Sequence, residues 1–170
     1  MASIPDGYRT PHGLSDDLRT LLMQKGMVTL GTINPDGSPQ MTVVQFSLDE
    51  SDRMHIPTIR STRKVRNIID RPAVTALAEV GFGWVSCTGR ARLIEGSEAT
   101  DINRGVYERL LTEAGLATMG RFLAAHEDST IEITPAKWLS WQGIGMFPWF
   151  KEQGIDPGDP AAWARDLTER

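Results

Sequence analysis

The sequence predicts a mainly β (α+β) fold: a small antiparallel barrel of about six strands with flanking helices. Three observations lead there. Alternating apolar runs recur between residues 27 and 94 and again near 129–141. Turn-forming residues separate these runs. Helical spacing is confined to an early segment, one basic segment and a late insertion. The regular βα alternation of a doubly wound sheet is not present. Periodicity alone fits a barrel and a sandwich equally.

Residues 1–13 hold Pro5, Gly7, Pro11 and Gly13 and read as an irregular arm. From Leu14 to Gly26, Leu18, Leu21 and Leu22 make one apolar stripe, Ser15 suits the N-cap, and Asp16 and Asp17 suit the first turn. A short amphipathic helix follows. Met27–Ile33 alternates as a strand. Asn34-Pro-Asp-Gly37 is a turn, because proline presets φ and glycine supplies a positive φ. Residues 39–48 continue the alternation with Thr42, Val44, Phe46 and Leu48 on one face, completing a hairpin. A third short strand spans Arg53 to Thr58. A basic helix comes next, and Arg71-Pro72 ends it.

Residues 73–80 and 84–94 read as two strands about the turn Gly81-Phe-Gly83. Ala99, Ile102, Val106, Leu110 and Leu111 give helical spacing over 97–114, and a further helix is expected over 118–126. Ser129–Thr134 is a late strand that Pro135–Trp141 can extend after a break. Beyond Gly143 the chain is rich in Gly, Pro and aromatics, with a small helix expected at its end, capped by Asp159 with Pro160 at the first position. Three segments result: an arm (1–13), a barrel domain (14–142) and a tail (143–170) packing on that domain or on a partner copy.

Composition narrows the function. The 170 residues carry a net charge of −4, which argues against general nucleic-acid binding. Cys87 is the only cysteine, which excludes an internal disulfide and a Cys-rich zinc site and fits a cytoplasmic location. No run approaches the roughly 20 apolar residues needed to cross a bilayer, and the first eleven residues lack the apolar core of a signal peptide. His12, His55 and His126 are scattered without metal-ligand spacing. Ser86 and Ser140 lack a nucleophile-elbow context, and Gly81-Phe-Gly83 is no dinucleotide fingerprint. Cys87 falls in an alternating strand, where a small buried side chain is the ordinary explanation.

The run Thr58-Ile-Arg-Ser-Thr-Arg-Lys-Val-Arg-Asn-Ile-Ile69 is the most informative. It gathers Arg60, Arg63, Lys64 and Arg66 about the first turn of the basic helix, where the dipole is already positive. Ser61 or Thr62 suits its N-cap, and an anion, a phosphate above all, would meet free N–H groups, hydroxyls and these cations together. The plain alternative is a solvated basic helix paired with acidic neighbours. Trp138, Trp141, Phe147, Trp149 and Phe150 crowd the C-terminal third; core and dimer packing is the first reading, and cover for a planar ligand the second.

Taken in order, the Asn-Pro-Asp-Gly hairpin, Thr58…Ser61-Thr62-Arg63-Lys64-Val65-Arg66-Asn67, Arg71-Pro-Ala-Val74 and Trp84-Val-Ser-Cys-Thr-Gly-Arg-Ala-Arg-Leu-Ile94 resemble the pyridoxamine 5′-phosphate oxidase-like split-barrel superfamily, with its flavin- and deazaflavin-dependent oxidoreductases. The resemblance runs from about Leu14 to Trp141. It implies a six-stranded split barrel, a homodimer, and a cofactor, FMN or the deazaflavin coenzyme F420, held in each interfacial groove. It also implies that Thr58, Arg63 and Lys64 hold the cofactor's phosphate, with Ser61 and Thr62 donating to it and Arg60 reaching another acidic part of the tail. Val43, Val44, Gln45 and Phe46 would lie along the ring. The Arg-Leu-His-Asp-Arg-like segment with which true pyridoxamine-phosphate oxidases grip substrate has no counterpart after Gly143, which argues against vitamin B6 oxidation. The expectation is thus an oxidoreductase acting on a small conjugated substrate. The alternative is a non-catalytic carrier of flavin, F420 or haem. No catalytic side chain stands out.

Overall fold

The computed structural model describes residues 14–80, 83–123 and 125–159. The expected arm (1–13), the turn residues 81 and 82, and the terminal helix expected from Pro160 lie outside them. Helix α1 (Asp16–Met23) starts at Ser15, whose hydroxyl accepts from the Leu18 N–H at 3.3 Å, and buries Leu18 and Leu22. β1 (Met27–Ile33) and β2 (Pro39–Gln45) pair in full antiparallel register, Met27 opposite Gln45 and Ile33 opposite Pro39. Their turn is as expected: Gly37 has φ +86°, and the Asp36 carboxylate accepts from the Ser38 N–H at 2.9 Å.

The single strand expected over 39–48 is two. The ladder with β1 ends at Gln45, and after the fully buried Phe46 the chain resumes as β3 (Ser47–Leu48), paired with β4 (Met54–Ile59). α2 (Arg63–Asp70) follows, then β5 (Ala73–Glu79) and the long β6 (Gly83–Glu95). The helix expected over 97–114 ends earlier: α3 is Ser97–Leu110 and α4 is Glu113–Leu123. Leu111 is extended, and Thr112 Oγ1 accepts from the Gly115 N–H at 3.3 Å, so a capping hydroxyl starts a second helix where apolar spacing runs on.

β7 (Asp128–Gln142) is one strand through Pro135, because a bulge absorbs the irregularity: Thr88 faces Lys137 while Gly89 faces Pro135. A short 3₁₀ turn (Gly143–Met146) and α5 (Phe147–Glu152) follow; this helix was not foreseen, its only signal being Pro148 in the first turn.

The sheet order is β2-β1-β5-β6-β7-β4-β3, antiparallel throughout. Its outermost strands, β2 and β3, are consecutive in the chain with only Phe46 between them. One strand therefore begins on β1 and finishes on β4, which curls the sheet toward closure. This is a split barrel, six-stranded if the broken strand is counted once. Leu30, Phe46, Ile56, Ile131 and Ile133 fill its interior, with Val65 and Ile68 of α2 packed against the same core. Trp138 joins that core, as the packing reading of the aromatics expects. No helix among the described residues is long and apolar enough to cross a membrane.

Candidate functional site

The basic turn runs from the end of β4 into α2. Thr58 is buried on β4, and its Oγ1 lies 3.3 Å from Thr62 Oγ1. Thr62 is the N-cap residue of α2, in extended conformation, yet its side chain caps no helix N–H. The first intrahelical acceptor is the Thr62 carbonyl, met by the Arg66 N–H at 3.3 Å. The N–H groups of the first turn ahead of Arg66 therefore have no acceptor within the helix. Three of these donors, the dipole and the Thr58–Thr62 hydroxyl pair converge at one place.

The cations divide. Arg60 Nε is 2.6 Å from Glu95 Oε1 at the end of β6, so this residue follows the paired reading. Ser61 and Arg63 are exposed. Arg63 acts at a distance on Asp36, whose carboxyl is held below its usual range chiefly by hydrogen bonds from Ser38 and, to a lesser degree, by this guanidinium. Lys64 differs from both. It is half-buried, burial lowers its ammonium pKa, and among the described residues no neighbouring anion offsets that loss of hydration. A partly desolvated cation without an anion, at an uncapped helix start, is an electrostatic arrangement that a bound anion relieves.

α2 is held in place by Asn67, which is 1% exposed. Its Nδ2 donates to Thr32 Oγ1 at 3.1 Å, Asn34 Oδ1 at 3.1 Å and Gln40 Oε1 at 3.0 Å. The Arg71 guanidinium adds a bond to the Pro35 carbonyl at 3.4 Å. The hairpin turn thus fixes where the basic turn points. Asn67 appeared in the sequence only as part of a motif, and nothing in the one-dimensional pattern marks it as the tether.

The Val43–Phe46 segment alternates across the sheet. Val43 is exposed on the outer face, Val44 is buried, Gln45 is half-buried, and Phe46 is in the core. The Arg109 guanidinium lies 5.6 Å from the centre of the Phe46 ring and donates to the Phe46 carbonyl. The Phe46 side chain is therefore committed to packing; Val43 is the member of the four whose side chain is open. Thr58, Arg60, Ser61, Thr62, Arg63 and Lys64 come together in one strand–turn–helix, while the 43–46 segment belongs to the hairpin that Asn67 ties to it. Burial pushes the Cys87 thiol up to about 12, which keeps it protonated and unreactive. Among the described residues no three His, Cys, Asp or Glu side chains gather as a metal site.

A split barrel with a cation-rich, uncapped strand–turn–helix defines the class of protein. The family model for pyridoxamine 5′-phosphate oxidase matches residues 14–142, and the chain belongs to that family. An F420H(2)-dependent biliverdin reductase from Mycobacterium tuberculosis is 32% identical over 81 residues, covering 46% of this chain and 58% of that protein. The match thus spans little more than half the length of that relative. Two solved structures share the fold. The conserved hypothetical protein Rv2991 from Mycobacterium tuberculosis superposes with a TM-score of 0.68 at 20% identity, over 92% of this chain and 96% of that one. A heme binding protein from Mycobacterium smegmatis gives 0.62 at 15% identity, over 80% and 57%.

Proposed function

We propose that this chain is an oxidoreductase that uses a flavin-type cofactor, FMN or F420, in hydride or electron transfer to a small conjugated substrate. The observation that carries the reading is Lys64, half-buried, without a compensating anion among the described residues, beside an uncapped helix start. The residues fit a phosphate-bearing tail: Lys64 and Arg63 supply charge, α2 supplies N–H donors, and Thr58, Ser61 and Thr62 supply hydroxyls. Arg60 contributes through its pair with Glu95, which stiffens the turn. When bound, the cofactor supplies the redox chemistry, and the protein's part is to hold it, orient substrate and exclude water. The identity to an F420H(2)-dependent relative supports F420 as the first cofactor to test and biliverdin as a substrate to try. The proposed partner is a second copy of the chain, met through the outer sheet face.

Calorimetric titration with F420 and FMN tests the site. Lys64→Ala is expected to weaken binding by about 2–5 kcal/mol, the cost of removing one partner of a desolvated charge pair. Unchanged affinity removes the assignment. A carrier without turnover is the second reading, supported by a haem-binding protein on the same fold. Reoxidation of bound reduced cofactor separates the two: acceleration by biliverdin, quinones or enones supports the enzyme, and none across that panel supports the carrier.

A further inference from the structure

A cavity of about 700 Å³ lies between α3 and α4; no residue of the basic turn lines it, although its Asp128 faces Ile59 across the β4–β7 ladder. That volume is in the range of small-molecule sites. α4 has no buried residue, although Leu116, Met119 and Leu123 recur along one of its faces. All three line the cavity. The helix therefore turns its apolar stripe to open space.

The opposite wall is polar in a specific way. Tyr107 on α3 is 7% exposed, lines the cavity, and has no hydrogen-bond partner for its hydroxyl among the described residues. The hydroxyl is therefore open to a bond from a ligand in the cavity, as donor or as acceptor. Burial, and secondarily the charge of Asp128, push the phenol up to about 12, so it remains a neutral O–H. Asp128 shares the wall; its Oδ1 accepts from Asn103 Nδ2 at 2.7 Å, and no cation pairs with it among the described residues. A carboxylate retains acceptor sites beyond that one bond.

The remaining charges decide the sign. Glu108 is a second acid on the lining, while the Arg104 guanidinium leans 3.5 Å from Asp101 on its own helix. His126 Nδ1 is engaged with the Phe122 carbonyl at 2.8 Å. The wall favours a cation, opposite to the preference of the basic turn, so this cavity does not extend the cofactor site. We propose that it binds a small organic amine. The apolar body lies on Leu116, Met119 and Leu123, and the ammonium donates to the Asp128 carboxylate and the Tyr107 hydroxyl oxygen.

The test is an NMR titration of the full chain without cofactor, using 4-phenylbutylamine, 4-phenylbutan-1-ol and 4-phenylbutanoate as isosteric probes. The amine is expected to shift α3 and α4 amides saturably, the alcohol to bind about tenfold more weakly, and the carboxylate weaker still. Tyr107→Phe and Asp128→Asn, each checked for an unchanged melting temperature, are expected to weaken the amine about fivefold or more. The proposal is overturned by alcohol or carboxylate binding as tightly as amine, by shifts centred on Arg63 and Lys64 and not on α3 and α4, or by no response up to about 10 mM amine. It is also overturned if amine affinity is unmoved in Tyr107→Phe. None of these readings involves FMN or F420, so failure here is distinct from failure of the oxidoreductase reading.

Discussion

At the scale of single residues, Asn67 makes two amide hydrogens serve three acceptors drawn from β1, the turn and β2. Asn67→Ala leaves those oxygens without their common donor in a buried setting, and is expected to cost about 2–3 kcal/mol, read from urea unfolding midpoints. Glu132 on β7 is the second such residue. The register sets it beside His55 of β4 and Arg92 of β6, with Nε2 at 3.2 Å and Nε at 2.6 Å, and Arg53 reaches it at 3.4 Å. Burial raises its carboxyl pKa, but the bonds from Arg92 and His55 and the charges of Arg92 and Arg53 outweigh that and hold it below the ordinary 4.5. A depressed folded-state pKa stabilises above the unfolded value and loses that contribution as pH falls through the folded one. Stability is therefore expected to decline with acidification below about pH 4.5, with a shallower slope in Glu132→Gln by thermal melts across pH. Neither role is written in the sequence: Asn67 meets hairpin residues 27 to 35 positions away, and Glu132 meets His55 77 positions away, contacts that only the folded arrangement brings about. The cations of the basic turn were legible because they are contiguous. Their division into a paired Arg60 and an uncompensated Lys64 was not, since Glu95 lies on another strand.

At the scale of elements, local chemistry decided boundaries wherever a cap or turn residue was present. Ser15, the Asn34–Gly37 turn and Arg71-Pro72 stand where they were expected. Thr112 was overlooked because the apolar spacing across it is unbroken, and a hydroxyl at a helix start outranks that spacing. The β6–β7 bulge was only half visible, as a break at Pro135. Gly89 shows what the bulge demands: a Cβ there would collide with the Thr134 carbonyl and press on Pro135, which are backbone atoms that cannot swing aside. Gly89→Ala is expected to destabilise by roughly 2–4 kcal/mol, with the loss visible as faster amide exchange along β6 and β7.

For the whole molecule, strand content and the absence of βα alternation were enough to give an antiparallel β fold, but barrel closure was legible only through the family resemblance, because it turns on one residue, Phe46, at which a strand changes neighbours. The outer sheet face carries the proposed self-association. Val43, Thr29 and Leu77 are cross-strand neighbours, Met41 and Met27 flank them, and Met27, Met41 and Val43 are each more than half exposed. Wild type is expected to have twice the 18.8 kDa chain mass by sedimentation, and Val43→Arg, which sets a charge in that apolar row, is expected to give single chains. The sheet order carries a consequence for biosynthesis. β7 sits between β6 and β4, so a nascent chain halted before Asp128 has both of those strands in hand and nothing to join them. The interior is sealed only when the seventh strand leaves the ribosome, and until then the partly made chain exposes ladder edges of the sort that recruit chaperones.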